Sequence, residues 1–154
     1  MIRVRGTLLP ENVLLDLTTR SREGIIGELS ASLRSDTRIS DWKEFLRALA
    51  EKEAAGKVNL HFGLNLRHVR TSAVTKMLMA FGRLAEPITL RDGLLQFAVV
   101  IGIPRTMDAE YLRIVGILMR VFRSEKRRQK LLLAQKPAEI IQIFEDGEIG
   151  REEE

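Results

Sequence analysis

The chain of 154 residues has no cysteine, only two histidines and a single tryptophan. Without cysteine it can form no disulfide, no thiolate metal ligand and no thiol nucleophile, and this composition suits a reducing compartment. The two histidines match none of the spacings typical of zinc sites. No apolar run approaches the roughly 18 residues that span a bilayer, and the first residues lack the apolar core of a signal peptide. The sequence therefore predicts a cytoplasmic protein with no metal, no cofactor and no membrane insertion.

The excess of positive over negative charge is also small. The chain carries 25 basic and 21 acidic residues, a net charge of +4. Aromatic residues do not interleave with the basic ones, so the sequence argues against nucleic-acid binding. Four basic residues would form one stripe if the segment 120–130 were a continuous helix: Arg120, Arg123, Arg127 and Lys130. A solvated face is the favoured interpretation of this stripe, and a docking surface for an acidic partner is the alternative.

Hydrophobic periodicity predicts a domain of alternating helices and strands. Residues with helical spacing follow the capping residues Ser21 and Asp41, and helices are also predicted near 111–122, 124–134 and 138–146. Period-two alternation from Val58 to Leu66 predicts a half-buried strand, or a hairpin bent near Gly63. The segment 8–17, interrupted by a proline, is an edge strand or a helical turn.

Two continuous apolar runs, at 76–84 and 94–104, are typical of strands buried on both faces. Strands of this kind require helices on both sides of the sheet. The predicted fold is therefore a single α/β domain, with a mixed β-sheet flanked by helices on both faces. It covers residues 1–147, and the glutamate-rich segment 148–154 is predicted to be an acidic tail.

His68 has Arg67 before it, Arg70 two residues after it, and Thr71 next. Flanking cations disfavour the imidazolium and leave a ring nitrogen available as a nucleophile. The same guanidinium groups would neutralise the oxygens of a phosphoryl group on that nitrogen, and the threonine hydroxyl could donate to them. The pattern is chemically consistent with a phosphohistidine. On local spacing alone, the favoured interpretation is a hydrogen-bonded histidine at a strand end, beside two solvated arginines.

The stretch LRALAEKEAAGKVNLHFGLNLRHVRTSAV, followed by AFGRLAEPI, resembles the enzyme IIA domain of the mannitol/fructose class (type 2). This class belongs to the bacterial phosphoenolpyruvate-dependent sugar phosphotransferase system and includes its nitrogen-regulatory branch. The likeness covers nearly the whole chain, from ENVLLDLTTRSREGIIGEL to SEKRRQKLLLAQKPAEIIQIF. The resemblance implies that His68 carries a phosphoryl group, which Arg70 and Lys52 help to hold. Thr71 keeps the residue type of the family, and Arg67 replaces a proline and adds a positive charge.

Besides Arg67, and Lys52 in place of an arginine, the chain departs from the family pattern at two further places. Leu60, His61 and Phe62 stand in a turn that is normally rich in glycine, and Tyr111 stands where a second histidine is often found. Bulky side chains in the turn would obstruct the close approach of the backbone to a phosphate.

The resemblance implies a phosphocarrier without a cofactor. It would accept a phosphoryl group on His68 from HPr or from the nitrogen-branch HPr homologue. It would then pass the group to a separate IIB domain, or signal through its phosphorylation state to regulated proteins. The alternative is a non-catalytic regulatory module that binds partner proteins on the same fold with a degenerate site. The bulky turn is the sequence feature that separates the two.

Overall fold

A computed structural model describes residues 3–55, 61–91 and 93–149 of the chain. Within these ranges the chain forms six α-helices, four β-strands and one short 3₁₀ turn. In chain order they are α1 (Val4–Thr7), β1 (Leu8–Leu17), α2 (Arg22–Ala31), α3 (Trp42–Ala55), the 3₁₀ turn (His61–Gly63), β2 (Leu64–Arg70), β3 (Leu78–Leu90), β4 (Gly93–Ile103), α4 (Asp108–Arg123), α5 (Glu125–Leu133) and α6 (Pro137–Ile149).

The four strands form one mixed sheet in the order β1-β3-β4-β2. The central pair β3 and β4 is antiparallel, whereas β1 is parallel to β3 and β2 is parallel to β4. The edge position of β1 explains why Pro10 is tolerated, because an edge strand can lose one ladder donor. The mixed sheet confirms the predicted fold class, and the edge strand at 8–17 is confirmed as well.

Both faces of the sheet are covered by helices. In β3, Met79 and Phe81 belong to the core cluster on the side of α4, α5 and α6. Their neighbours Leu78 and Ala80 belong to the cluster on the side of α2 and α3. Successive strand residues point to opposite faces, so a strand buried on both faces reads as an unbroken apolar run. The two apolar runs identified in the sequence are the central strands β3 and β4.

Helix α5 is anchored to the sheet by a buried arginine. Arg83, on β3, donates hydrogen bonds to the carbonyl oxygens of Leu131 and Ala134, at 2.9 and 2.5 Å, and to a carboxylate oxygen of Asp16 at 3.0 Å. The last carbonyl groups of a helix have no partner within it, so the guanidinium satisfies acceptors at the end of α5. Its charge also lies where the helix dipole favours a cation.

The strand predicted from Val58 begins later than the alternation indicated. Val58 and Leu60 lie outside the described residues, and β2 starts only at Leu64. Phe62 and Gly63 belong to the 3₁₀ turn and have φ values of 59° and 76°, in the left-handed region. The prediction of strand structure at Phe62 is therefore wrong, and the chain bends there.

The basic stripe does not lie on one helix. Helix α4 ends at Arg123, and the hydroxyl of Ser124 caps α5 by accepting a hydrogen bond from the backbone N–H of Arg127 at 3.1 Å. The break changes the direction of the chain and buries the Arg127 side chain, which is 3% exposed. The interpretation of the stripe as a solvated face is therefore wrong for this residue.

Helix α6 continues past the boundary predicted at 147, to Ile149, and residues 150–154 lie outside the described ranges. The division into a domain and an acidic tail stays a prediction. Within the described ranges, every helix is too short or too polar to cross a membrane.

Candidate functional site

His68 lies near the end of the edge strand β2. It pairs in register with Ile101 of β4, and the ladder continues to Arg70 and Ile103. The backbone N–H of Thr71 donates to the carbonyl oxygen of Ile103 at 3.0 Å, which fixes the chain just after the strand. The imidazole is half-buried. The histidine is thus held by regular sheet hydrogen bonds on a rigid element.

A cavity of about 380 Å³ opens beside this end of β2. Helix α3 forms one wall, and the segment after β4 together with the first turns of α4 forms the other. The cavity is lined by Glu44, Arg47, Ala48, Glu51, Lys52, His68, Val69, Arg70, Thr71, Ile103, Arg105 and Tyr111. The carboxyl ends of the parallel strands β2 and β4 meet here, which is where ligands bind in open α/β sheets.

Positive charge dominates the part of the cavity around the imidazole. Arg47 is already paired with two carboxylates of its own helix, Glu44 at 2.6 Å and Glu51 at 2.8 Å. Among the described residues, the side chains of Lys52 and Arg105 form no hydrogen bond and no ion pair within 4 Å. These two cations therefore remain available to an anion in the cavity.

The first turns of α4 contact both functional side chains of β2. The Tyr111 ring lies 4.9 Å from the His68 ring, between centroids, at an interplanar angle of 37°. One turn earlier, Asp108 accepts a hydrogen bond from Arg70 at 2.5 Å. Residues three apart share a face of a helix and residues two apart share a face of a strand, so the two pairs lie side by side. Burial raises the pKa of the Tyr111 phenol, which keeps it a neutral hydrogen-bond donor.

The surroundings of His68 keep its ring neutral. Partial burial, followed by the charges of Lys52 and Arg70, holds the pKa of the imidazole below its ordinary value. A neutral ring retains the nitrogen lone pair that a nucleophile needs. Protonation is favoured in the unfolded chain, so this histidine contributes most to stability above the unfolded pKa of about 6.5, and the contribution is lost as the pH falls below it.

A titration of the His68 ring, followed by NMR of its carbon-bound protons, is expected to give a midpoint below about 6.5. Lys52→Gln is expected to move that midpoint upward, because one of the repelling charges is removed. It should remain below the ordinary value, since burial is the larger cause and Arg70 is unchanged. Lys43→Gln, on the same helix but outside the cavity lining, should leave the midpoint unchanged. A wild-type midpoint above the ordinary value would contradict this description of the site.

Four of the five residues predicted for the site line this cavity: His68, Arg70, Lys52 and Thr71. The fifth, Arg67, does not. It is 5% exposed and pairs with Val100, a member of the core cluster on the side of α2 and α3. Adjacent strand residues point to opposite faces, so the Arg67 side chain leaves β2 on the face opposite to that of His68.

The bulky turn before β2 does not fill the cavity in its described part. Phe62 is 45% exposed, and the guanidinium carbon of Arg128, on α5, lies 5.1 Å from the centre of its ring. Phe62 is absent from the cavity lining. Leu60 and the side chain of His61 lie outside the described residues, so the obstruction predicted for them is neither confirmed nor contradicted.

Two residues of the site, Arg105 and Asp108, were not predicted from the sequence. Arg105 follows Pro104 at the end of β4, and Asp108 opens α4. Arg105 could have been predicted only from the strand topology, because parallel neighbouring strands end at the same edge of the sheet. For a metal, the described part of the chain offers no suitable site, since no three His, Asp or Glu side chains cluster there.

The cavity with its histidine can be compared with known proteins. The family model described as "Phosphoenolpyruvate-dependent sugar phosphotransferase system, EIIA 2" matches residues 7–147. A fructose-specific EIIA component of the phosphotransferase system from Haloferax volcanii is 32% identical over 135 residues, which are 84% of this chain and 87% of that protein.

Two solved structures share the fold. The nitrogen regulatory protein IIA-Ntr of Neisseria meningitidis has a TM-score of 0.79 at 21% identity, over 90% of this chain and 97% of that one. Enzyme IIA of the mannitol system of Escherichia coli, in complex with phosphorylated enzyme IIB, has a TM-score of 0.74 at 16% identity, over 94% and 99%. At these identities the structural likeness concerns the fold, whereas the family model and the Haloferax relative define the family. The chain belongs to the type-2 EIIA family of the phosphoenolpyruvate-dependent sugar phosphotransferase system.

Proposed function

We propose that the protein is a cytoplasmic phosphocarrier in which His68 accepts a phosphoryl group from an HPr-type phosphohistidine. The observation that carries the proposal is the half-buried imidazole in a cavity shared with Lys52, Arg70 and Arg105. Nucleophilic transfer requires a neutral ring, and a bound phosphoryl group requires cations around its oxygens. The same cavity supplies both. The cations that lower the pKa of the ring are placed to neutralise the group that it would receive.

The transfer step can be written with the groups present. The lone pair of one His68 nitrogen forms the new N–P bond as the N–P bond of the donor breaks, and that bonding pair returns to the donor ring. Charge balances when the other nitrogen of His68 releases its proton and the donor ring takes one up. Arg70 offers a planar fork to the phosphoryl oxygens, and Lys52 acts as a point charge. Arg105, with no hydrogen-bond partner among the described residues, supplies a further fork.

Docking of a carrier protein is supported by the rim of the cavity. Leu46 on α3 and Leu112 on α4 are 39% and 68% exposed, and each is adjacent in sequence to a residue that lines the cavity. Exposed apolar side chains beside a charged pocket are typical of protein-binding surfaces. The related mannitol enzyme IIA forms a complex with phosphorylated enzyme IIB. We propose HPr or its nitrogen-branch homologue as the donor and a separate IIB domain or a regulated protein as the next partner.

The experiment is reconstitution with phosphoenolpyruvate, enzyme I and either general HPr or the nitrogen-branch homologue, followed by intact-mass measurement. A mass increase of about 80 Da, corresponding to one phosphoryl group, is expected with at least one donor. The donor that works assigns the chain to the sugar branch or to the nitrogen-regulatory branch. No increase with either donor would contradict the proposal and favour the regulatory module with a degenerate site.

Asp108→Asn is expected to stabilise the phosphorylated form. In the unphosphorylated protein Asp108 competes for Arg70, and removing its charge leaves the guanidinium free for the phosphoryl oxygens. The pair is exposed, at 47% for Arg70 and 66% for Asp108, so the effect is small. An exposed pair contributes up to about 1 kcal/mol, which corresponds to about a fivefold shift of the phosphoryl equilibrium between HPr and this protein.

The matched control for Asp108→Asn is Glu110→Gln. Both substitutions remove one negative charge from the first turn of α4, so both change its interaction with the helix dipole equally. Glu110 forms no ion pair with a described residue. An equal shift in both variants would mean that the charge acts at long range and that Asp108 has no specific hold on Arg70.

A further inference from the structure

A second cavity, of about 530 Å³, lies at the corner between α4 and α5. It is lined by Gly116, Met119, Arg120, Arg123, Ser124 and Arg127. Three of these residues are arginines, and none carries a negative charge. The space above Gly116 is open, because a Cβ atom placed there would have no neighbour within 4 Å. Cavities that bind small molecules have volumes of about 300–1,000 Å³, so this one has a suitable size.

The break at Ser124 creates this concave surface. A continuous helix would present Arg120, Arg123 and Arg127 as a convex row of solvated side chains. Because the chain turns at Ser124, Arg127 instead forms the buried wall of the cavity, at 3% exposure, where it is held by contacts of its own.

The charges of the two exposed arginines are not neutralised within the described part of the chain. Arg120 donates one hydrogen bond to the carbonyl oxygen of Gly147 and forms no ion pair with a described carboxylate. Arg123 forms neither a hydrogen bond through its side chain nor an ion pair there. A guanidinium has five N–H donors, so several remain available on each side chain. The hydroxyl of Ser124 accepts from the backbone of Arg127 and keeps its own proton to donate.

This arginine cavity is separate from the site at His68. Tyr111 marks the His68 cavity on α4, and Arg123 lies twelve residues further along the same helix. At 1.5 Å per residue, this separation is about 18 Å. A ligand of the second cavity would therefore not touch the imidazole.

We propose that the arginine cavity binds a small molecule carrying two or more phosphoryl groups. The exposed guanidinium groups of Arg120 and Arg123 match two anionic groups on one ligand, because each fork can hold one phosphoryl group by two hydrogen bonds. The lining contains no aromatic residue, so the ligand is recognised by its charge and not by stacking on a ring. The proposal does not depend on phosphoryl transfer at His68.

The test is isothermal titration calorimetry of the whole chain with inorganic tripolyphosphate, in the absence of any phosphoryl donor. The double variant Arg120→Gln, Arg123→Gln is expected to weaken binding by about tenfold or more, because it removes two charge-assisted contacts. The charge-matched control is Arg34→Gln, Arg91→Gln, at two exposed positions, and it should bind as the wild type does. The melting temperature of each double variant verifies that it is folded, and little change is expected because the replaced side chains are exposed.

Three results would overturn the proposal. One is the absence of tripolyphosphate binding by the wild-type protein. Another is equal binding of orthophosphate, since the cavity is proposed to require several phosphoryl groups. The third is loss of binding in Lys52→Gln, Arg70→Gln with retention in the Arg120 and Arg123 double variant. That pattern would place the anion in the His68 cavity.

Discussion

His68→Ala is expected to abolish phosphoryl acceptance completely. The imidazole nitrogen is the atom that would form the bond to phosphorus, and no cysteine exists in the chain to replace it. The remaining polar residues of the lining are cations, carboxylates, a threonine and a tyrosine, none of which is activated as a nucleophile. After incubation with phosphoenolpyruvate, enzyme I and the active HPr-type donor, the variant should show no mass increase under conditions that modify all of the wild-type protein.

His61→Ala is the matched control for this result, since His61 is the only other histidine in the chain. It should retain the mass increase. His68→Gln should behave as His68→Ala does, while filling more of the space beside Tyr111, which contacts the ring at 4.9 Å. Phosphorylation of His68→Ala together with loss in His61→Ala would assign the carrier role to the other histidine and overturn the proposed site.

Arg38→Met is expected to lower the free energy of unfolding by about 3–5 kcal/mol, because it leaves a buried carboxylate without its partner. The Arg38 guanidinium donates to both carboxylate oxygens of Asp36, at 2.8 and 2.6 Å. It also donates to the carbonyl oxygens of Gly6, Thr7 and Met77, at 3.0 to 3.3 Å. The side chains of Arg38 and Asp36 are only 10% and 6% exposed. One side chain thus joins α1, the loop before α3 and the start of β3.

The control for Arg38→Met is Arg34→Met, which removes the same charge at an exposed position and should change stability by less than about 0.5 kcal/mol. Urea unfolding followed by circular dichroism measures both. Adding Asp36→Asn to Arg38→Met should recover part of the loss, since it removes the unpaired charge. A loss below about 1 kcal/mol in Arg38→Met would mean that water replaces the guanidinium and that the pair is not structural.

The pH dependence of these variants gives a second test. Hydrogen bonding from Arg38 holds the pKa of Asp36 below its ordinary value. A carboxylate of this kind contributes stability above its unfolded pKa of about 3.9, and the contribution is lost as the pH falls through the lower folded value. The difference in stability between the wild type and Arg38→Met should therefore be full at neutral pH and shrink in acid.

Several elements could be predicted because their signals are local. The unbroken apolar runs identified β3 and β4, and capping residues with helical spacing identified α2 and α3. The side chain of Ser21 accepts from the N–H of Gly24 as the cap predicts, and Asp41 accepts from the N–H of Glu44. Side chains that bond to a backbone three residues away are visible within a short window of sequence.

The strand period in the sequence also indicated the orientation of Arg67, but the prediction relied on its position next to His68. Proximity to His68 along the chain favoured a role in the site, whereas the period of a strand places neighbours on opposite faces. The β2 pairing, with His68 opposite Ile101 and Arg67 opposite Val100, decides in favour of the strand period. The roles of all five residues, Arg67 among them with His68, Arg70, Lys52 and Thr71, stay predictions.

The sequence by itself determined the α/β class and the family and predicted the role of His68, because periodicity, capping and motif spacing act over a few residues. Only the tertiary structure decided which cations share a cavity with His68. Arg105 and Asp108 arrive from a strand end and a helix start more than 30 residues away, and the pairing of β2 with β4 brings them together. The burial of Arg38 and Arg127 was decided in the same way, since exposure depends on contacts between distant elements.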